Sequence, residues 1–312
     1  MKTKILFVCL LSLLGVNVYS VSDYSNAHWR IYEIESLLVK DGLFDSANNA
    51  LIDIFNQYDY RFAEGISLAA DNLFCNLHKT WNKDSTIIDF YFRRFARSYS
   101  ADNLLNFFCK CADSITYNTI KERCSFYDSI FITSVDTALI RKAFMMSSRD
   151  QEAIRNQDYI MIRIVDSLNL IELEKILEKY GTFPGVKKLG MLDYIDLRMV
   201  IHHTSPKQIL DKWYNLLMQL IKDGEFAPSE VAGSIDDAII RDGTVIDNKW
   251  AIKYTIYGTY DYKNLCIPVK DIEQTNKWRR EIGLPPLEYD LKKRGTEYNE
   301  AEFIKEIKII DE

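Results

Sequence analysis

The spacing of apolar residues changes from helical to strand-like late in this chain, and that change sets the fold class. From residue 25 to about residue 241, apolar positions recur every three or four residues, the period of a helix that buries one face. Ile31, Ile34, Leu37 and Leu38 are the first such set. Further on, Trp250, Ile252, Tyr254 and Ile256 alternate with Ala251, Lys253, Thr255 and Tyr257, which is the period of a strand. Gly258 marks a turn, and Tyr260 to Ile267 is the expected returning strand. The pattern predicts a mainly α protein. Helical hairpins of a degenerate tetratricopeptide-like kind come first, followed by an α+β domain with one small β-hairpin.

The hairpin reading starts at Gly42-Leu43-Phe44-Asp45-Ser46-Ala47, where glycine suits a tight turn and alanine close helix contact. Segments 62–79, 86–97 and 103–115 continue the helical pattern without a clean 34-residue repeat. Polar residues three apart suggest helix starts at Ser148/Gln151, Asn169/Glu172, Ser205/Gln208 and Asn299/Glu302. Pro206 occupies the favoured first helical position, and Gly181 and Gly283 are expected just past helix ends. Ile154, Met161, Val165 and Leu168 read as one buried stripe, and the last helix is expected to run through Ile307 and Ile310.

Residues 1–20 have the pattern of a secretory signal peptide. Lys2 and Lys4 precede an apolar run from Ile5 to Val16, and Val18-Tyr19-Ser20 suits a cleavage site. The run is too short to span a bilayer comfortably, and no later segment is apolar enough. An exported chain, periplasmic or extracellular, is expected, with no transmembrane segment after cleavage. The expected divisions are a signal peptide at 1–20, a helical-hairpin region at 21–147, a second domain at 148–290 and a tail helix at 291–312. Loss of Lys2 and Lys4, with no acid removed, moves the formal net charge from −6 to −8. An acidic chain argues against a general nucleic-acid binder, which needs a basic face to displace counterions.

Five cysteines follow the signal segment: Cys75, Cys109, Cys111, Cys124 and Cys266. An odd number leaves at least one thiol free. Cys109 and Cys111 point about 200° apart on a helix and should not bond to each other. No phosphate loop, nucleophile elbow or His-Glu-x-x-His motif is present, so neither a cofactor nor a metal is expected.

The chemical candidates centre on Val200-Ile201-His202-His203-Thr204-Ser205-Pro206. His203 falls four residues after Met199 and extends an apolar face, so it is either a core histidine or a general base. His202 lies about 100° round the helix, which disfavours shared metal ligation. Asp237 is one turn from Arg241 and reads as an ion pair or as the group that orients His203. Arg155 and Asp166 are eleven residues, three helical turns, apart and are expected to point the same way, with Arg155 clamping an anionic group or pairing with a carboxylate from another helix. Tyr257 and Thr259 flank Gly258 at a strand end, where ligand contacts are common.

From about Ser148 to Tyr289 the chain resembles a bacterial domain family of unknown function. That family carries, in order, a DQxxR-like segment, a glycine–proline loop and QH[SA]D, DR, YGTQ and RRxxGLPPLxxY blocks. Here they read as Asp150-Gln151 with Arg155, Tyr180-Gly181-Thr182-Phe183-Pro184, His202-His203-Thr204-Ser205, Asp237-Ala238, Tyr257-Gly258-Thr259-Tyr260, and Arg279-Arg280 through Gly283-Leu284-Pro285-Pro286-Leu287 to Tyr289. The chain departs from the pattern at His202, Ser205, Ala238 and Tyr260. The resemblance implies where a site lies and no particular activity. On these grounds His203 and Asp237 are candidate catalytic residues, and Gln151, Arg155, Asp166, Tyr257 and Thr259 are candidate ligand contacts. Two functions are expected: an exported binding or adaptor protein for an unknown protein or small molecule, or a hydrolase using His203 as base.

Overall fold

The structure is a computed structural model and describes residues 23–39, 42–58, 85–108, 117–118, 121–246 and 249–310. The signal segment, segment 62–79 and Cys75, Cys109 and Cys111 lie outside the described residues. The protein is mainly α, with a few short strands and a small β-hairpin. The N-terminal helices are α1 (Tyr24–Glu33), α2 (Phe44–Gln57), α3 (Ser85–Phe95), α4 (Ala101–Phe108) and α5 (Cys124–Ser134). The middle of the chain forms α6 (Thr137–Arg155), α7 (Tyr159–Tyr180), α8 (Val186–Leu189) and α9 (Tyr194–His202). After a π-helical turn at Gln208–Trp213 come α10 (Tyr214–Lys222) and α11 (Pro228–Arg241).

Two of the expected helix starts are not used. Asp136 already caps α6, accepting from the Leu139 amide at 3.0 Å, so Ser148 lies inside a helix that crosses the expected 147/148 division. That helix stops at Arg155 because Gln157 takes a left-handed φ of 52°. Asp158 then caps α7 through the Ile160 and Met161 amides, and Asn169 falls mid-helix. The expected buried stripe is also divided: Val165 is buried, whereas Ile154, Met161 and Leu168 are exposed. The caps at Ser205/Gln208 (3.3 Å) and Asn299/Glu302 (3.1 Å) form as expected.

The strand read from Trp250 onward has different partners from those expected. β2 (Lys249–Lys253) pairs antiparallel with β1 (Thr244–Ile246) and parallel with β5 (Lys308–Ile310). The small hairpin is β3 (Asp261–Tyr262) with β4 (Leu265–Cys266), turned by Lys263 and Asn264 at φ of 49° and 66°. β5 also means that the last helix, α14 (Glu300–Glu306), ends before Ile307. Between hairpin and tail lie α12 (Ile272–Ile282) and α13 (Leu287–Arg294). One hydrophobic cluster runs from Tyr24 on α1 through α6, α7, α9, α10 and α11 to Leu284. Among the described residues, no helix is long and apolar enough to cross a membrane.

Candidate functional site

The site is built around the turn Tyr257-Gly258-Thr259-Tyr260 and the carboxylate beneath it. α11 is apolar along Val231, Ala232, Ile235 and Ile239, and Asp236 sits one turn after Ala232 on that buried side. Its carboxylate accepts four hydrogen bonds. Oδ1 takes the Ile256 amide at 2.9 Å and the Tyr257 amide at 3.0 Å. Oδ2 takes the Thr259 amide at 2.9 Å and the Thr259 hydroxyl at 2.7 Å. Burial pushes the Asp236 carboxyl upward, and the four donors, facing no acceptor, pull it back toward the ionised form.

Two arginines hold the turn from the other side. Arg279 on α12 is fully buried and donates to the carbonyls of Tyr257 and Pro285 and to Asp290 at 2.8 Å. Arg294 on α13 donates to the Gly258 carbonyl at 2.9 Å and to Asp261. Gly258 has a φ of 64°, and a Cβ there would approach Leu287 Cδ1 to 2.9 Å. A tight, left-handed turn is therefore locked from both sides.

The turn does not present Tyr257 to a ligand. That residue is 2% exposed, and its hydroxyl lies 3.4 Å from the Tyr214 hydroxyl, in the main core. Thr259 is the part of the pair that reaches open space. It lines two cavities, of about 490 Å³ and about 300 Å³, which also share Ser229. The larger is walled by Tyr32, Glu35, Tyr289, Asp290, Lys293 and Arg294 among others. The smaller is walled by Arg198, His202, Glu230, Ser234 and Tyr260.

His202, at the end of α9, faces the smaller cavity. Ser234 donates its hydroxyl proton to the Glu230 carbonyl, so it accepts from His202 Nδ1 at 3.1 Å. His202 Nε2 is then left to accept from the Tyr260 hydroxyl at 3.4 Å. Burial holds this imidazole neutral and lowers its pKa to about 4, despite Asp237 Oδ2 at 3.6 Å. The same hydrogen bonds exclude a nucleophilic Ser234: its proton points to a backbone carbonyl and its partner nitrogen is the one carrying hydrogen.

His203 turns the other way. Its Nδ1 is 2.7 Å from Asp150 Oδ2, and Asp150 is buried on α6, where it also accepts from Gln151 Nε2 at 3.0 Å. An aspartate on Nδ1 fixes the tautomer in which Nδ1 carries the hydrogen and Nε2 the lone pair. Asp166 on α7 is near enough to feel both groups. Burial first, and the Asp150 charge second, push its carboxyl up. The group on His203 is Asp150 and not Asp237, which lies on α11, 3.6 Å from His202 Nε2, and pairs with Arg241 Nε at 2.5 Å. Arg241 also donates to the carbonyls of His202 (2.7 Å) and Thr204 (2.9 Å), closing the free end of α9. Arg155 stands apart: the break at Gln157 separates it from α7, and it is exposed at the end of α6.

No family model, curated protein or solved structure matches this chain. The site must be read from its own geometry. Of the candidates, His203, Asp166 and Gln151 gather around Asp150, Thr259 reaches the cavities, Asp237 lies behind His202, Tyr257 is in the core and Arg155 is exposed away from both. Residues not singled out beforehand are Asp236, Ser229, Arg198 and Glu230, and Asp150 was named only as part of the DQxxR-like block. The helical register of Ala232 with Asp236, both on the buried side of α11, was the available signal for Asp236. Among the described residues no group of three or more His, Cys, Asp and Glu is arranged to hold a metal ion.

Proposed function

We propose that this chain is an exported binding protein for a polar, net-neutral small molecule, related to the bacterial domain family that residues 148–289 resemble. The supporting observation is the meeting of two cavities at Ser229 and Thr259, beside a turn immobilised by Asp236, Arg279 and Arg294. Both volumes suit small-ligand pockets, which run from about 300 to 1,000 Å³. Charges on the walls come in opposite pairs: Arg198 with Glu230 (3.5 Å), Lys293 with Glu35 (2.7 Å) and Arg294 with Asp290 (3.6 Å). Such walls offer hydrogen bonds in both directions without a net charge. Tyr32, Tyr260 and Tyr289 add flat apolar faces with polar tips.

The test is thermal stabilisation by a panel of neutral mono- and disaccharides and short peptides, repeated on Ser229→Trp. Ser229 is exposed at the junction, so the indole should block both cavities, abolish the shift and leave the unliganded melting point nearly unchanged. Failure of every class to shift the melting point, or undiminished binding by Ser229→Trp, would count against the site. Export is tested by the N-terminus of the secreted chain, expected at Val21.

A second reading is acid–base catalysis with His203 as base, oriented by Asp150 and with Asp166 as proton donor. The 2.7 Å contact from a buried aspartate to Nδ1 favours it. It requires a hydrolytic activity lost in both His203→Gln and Asp150→Asn variants that remain folded.

A further inference from the structure

The face of α7 turned away from the core is apolar along its N-terminal half. Val165, Asn169, Leu173 and Ile176 are buried on the inner side. On the outer side, Ile160 is 76% exposed, and Met161, Ile164, Leu168 and Ile171 are each about half exposed. A helix apolar on two faces is normally covered on both. The outer residues Met161, Ile164, Leu168 and Ile171 are spaced three, four and three apart, the alternation of a coiled-coil seam. The next two seam positions are Lys175 and Glu178, so the seam is limited to two heptads.

We infer that this seam is a self-association surface, and that its occupant is α7 of a second copy of this chain, packed antiparallel. The seam is self-complementary about its midpoint: Met161 of one copy meets Ile171 of the other, and Ile164 meets Leu168. A two-fold pairing of one patch with itself is the commonest way to close an oligomer. Charge selects the direction. Arg163 and Glu174 are both exposed on the same flank of the seam, towards opposite ends of α7. In an antiparallel pair like flanks face each other, bringing Arg163 of each copy towards Glu174 of the other. The five outer residues together expose roughly 500 Å² per copy, less than the ~800 Å² per partner of a standard stable interface, so the pairing is expected to be concentration-dependent. The two cavities are not lined by any residue of α7, so the association leaves the proposed ligand site open.

Sedimentation velocity of the chain from about 1 to 100 μM tests this. The expected species at high concentration has twice the mass of a single chain. Leu168→Glu and Ile164→Lys, at exposed positions, should each weaken the dimer ~100-fold or more, with circular dichroism unchanged. Arg163→Glu should weaken it less, and adding Glu174→Arg should restore it, a rescue that keeps the test decisive should an apolar-to-charged variant fail to fold. A monomer at every concentration would overturn the inference. So would a dimer indifferent to these substitutions, or a monomer that binds phosphatidylglycerol vesicles through the same four residues.

Discussion

Replacing Asp236 separates hydrogen bonding from packing at the turn that borders both cavities. Asp236→Ala strips the acceptor from three backbone amides, at Ile256, Tyr257 and Thr259, and from the Thr259 hydroxyl. Each buried amide left unsatisfied costs about 1–3 kcal/mol, offset in part because a desolvated charge disappears. The net loss should be about 3–5 kcal/mol. Asp236→Asn keeps the shape and the Oδ1 contacts with two amides. Its new amide group faces the Thr259 N–H, donor against donor, while the Thr259 hydroxyl can rotate to accept. One lost bond and one clash set the cost at about 1–3 kcal/mol. Urea unfolding followed by tryptophan fluorescence reads both values from the midpoint at constant slope. Equal losses for Asn and Ala, or a loss below 1 kcal/mol for Ala, would mean that the carboxylate network does not hold the turn.

His202, neutral with a pKa lowered to about 4, makes the folded state bind fewer protons than the unfolded state below the ordinary histidine value of 6.5. Its contribution is therefore fully present above pH 6.5 and is lost as pH falls from 6.5 towards 4, by up to roughly 3 kcal/mol. His202→Gln should flatten that stretch of the stability–pH curve, and an unchanged slope would refute the buried neutral ring. Arg279→Lys should destabilise by about 3–5 kcal/mol, since one ammonium cannot reach two carbonyls and Asp290 together; a near-neutral effect in thermal unfolding would contradict the clamp. A double-mutant cycle with Asp150→Asn and His203→Gln should show a coupling of about 1–3 kcal/mol, and additivity would mean that the 2.7 Å contact is energetically idle.

Local chemistry was legible in the sequence, and long-range pairing was not. The Ser205 and Asn299 caps, and Gly283 at a φ of 88° after α12, follow from residue types within four positions. Ser148 and Gln151 satisfy the same local rule, yet α6 already begins at Asp136, and a helix in progress overrides a cap motif inside it. The partner of β2 could not be read at all, because β5 lies more than fifty residues further along the chain. The site shows the same division. The histidines and the Tyr257–Tyr260 turn stood out by composition. Asp150 and Asp236 gain their roles only when α6 meets α9 and α11 meets the turn, 53 and about 20 residues away in sequence. Exposure of Met161 and Leu168 was equally hidden, since periodicity reports that a helix has an apolar face and not which face is covered.

The two histidines at the end of α9 are neighbours in sequence, with ring centroids 5.4 Å apart, yet they look into different surroundings. One borders the smaller cavity and the other rests on a buried aspartate. Arg241 holds the stretch of backbone that carries both through the His202 and Thr204 carbonyls, so the two rings hang from one fixed piece of chain. A molecule entering the smaller cavity would therefore meet one imidazole and leave the other on its aspartate, so the two ring resonances should report cavity and core separately.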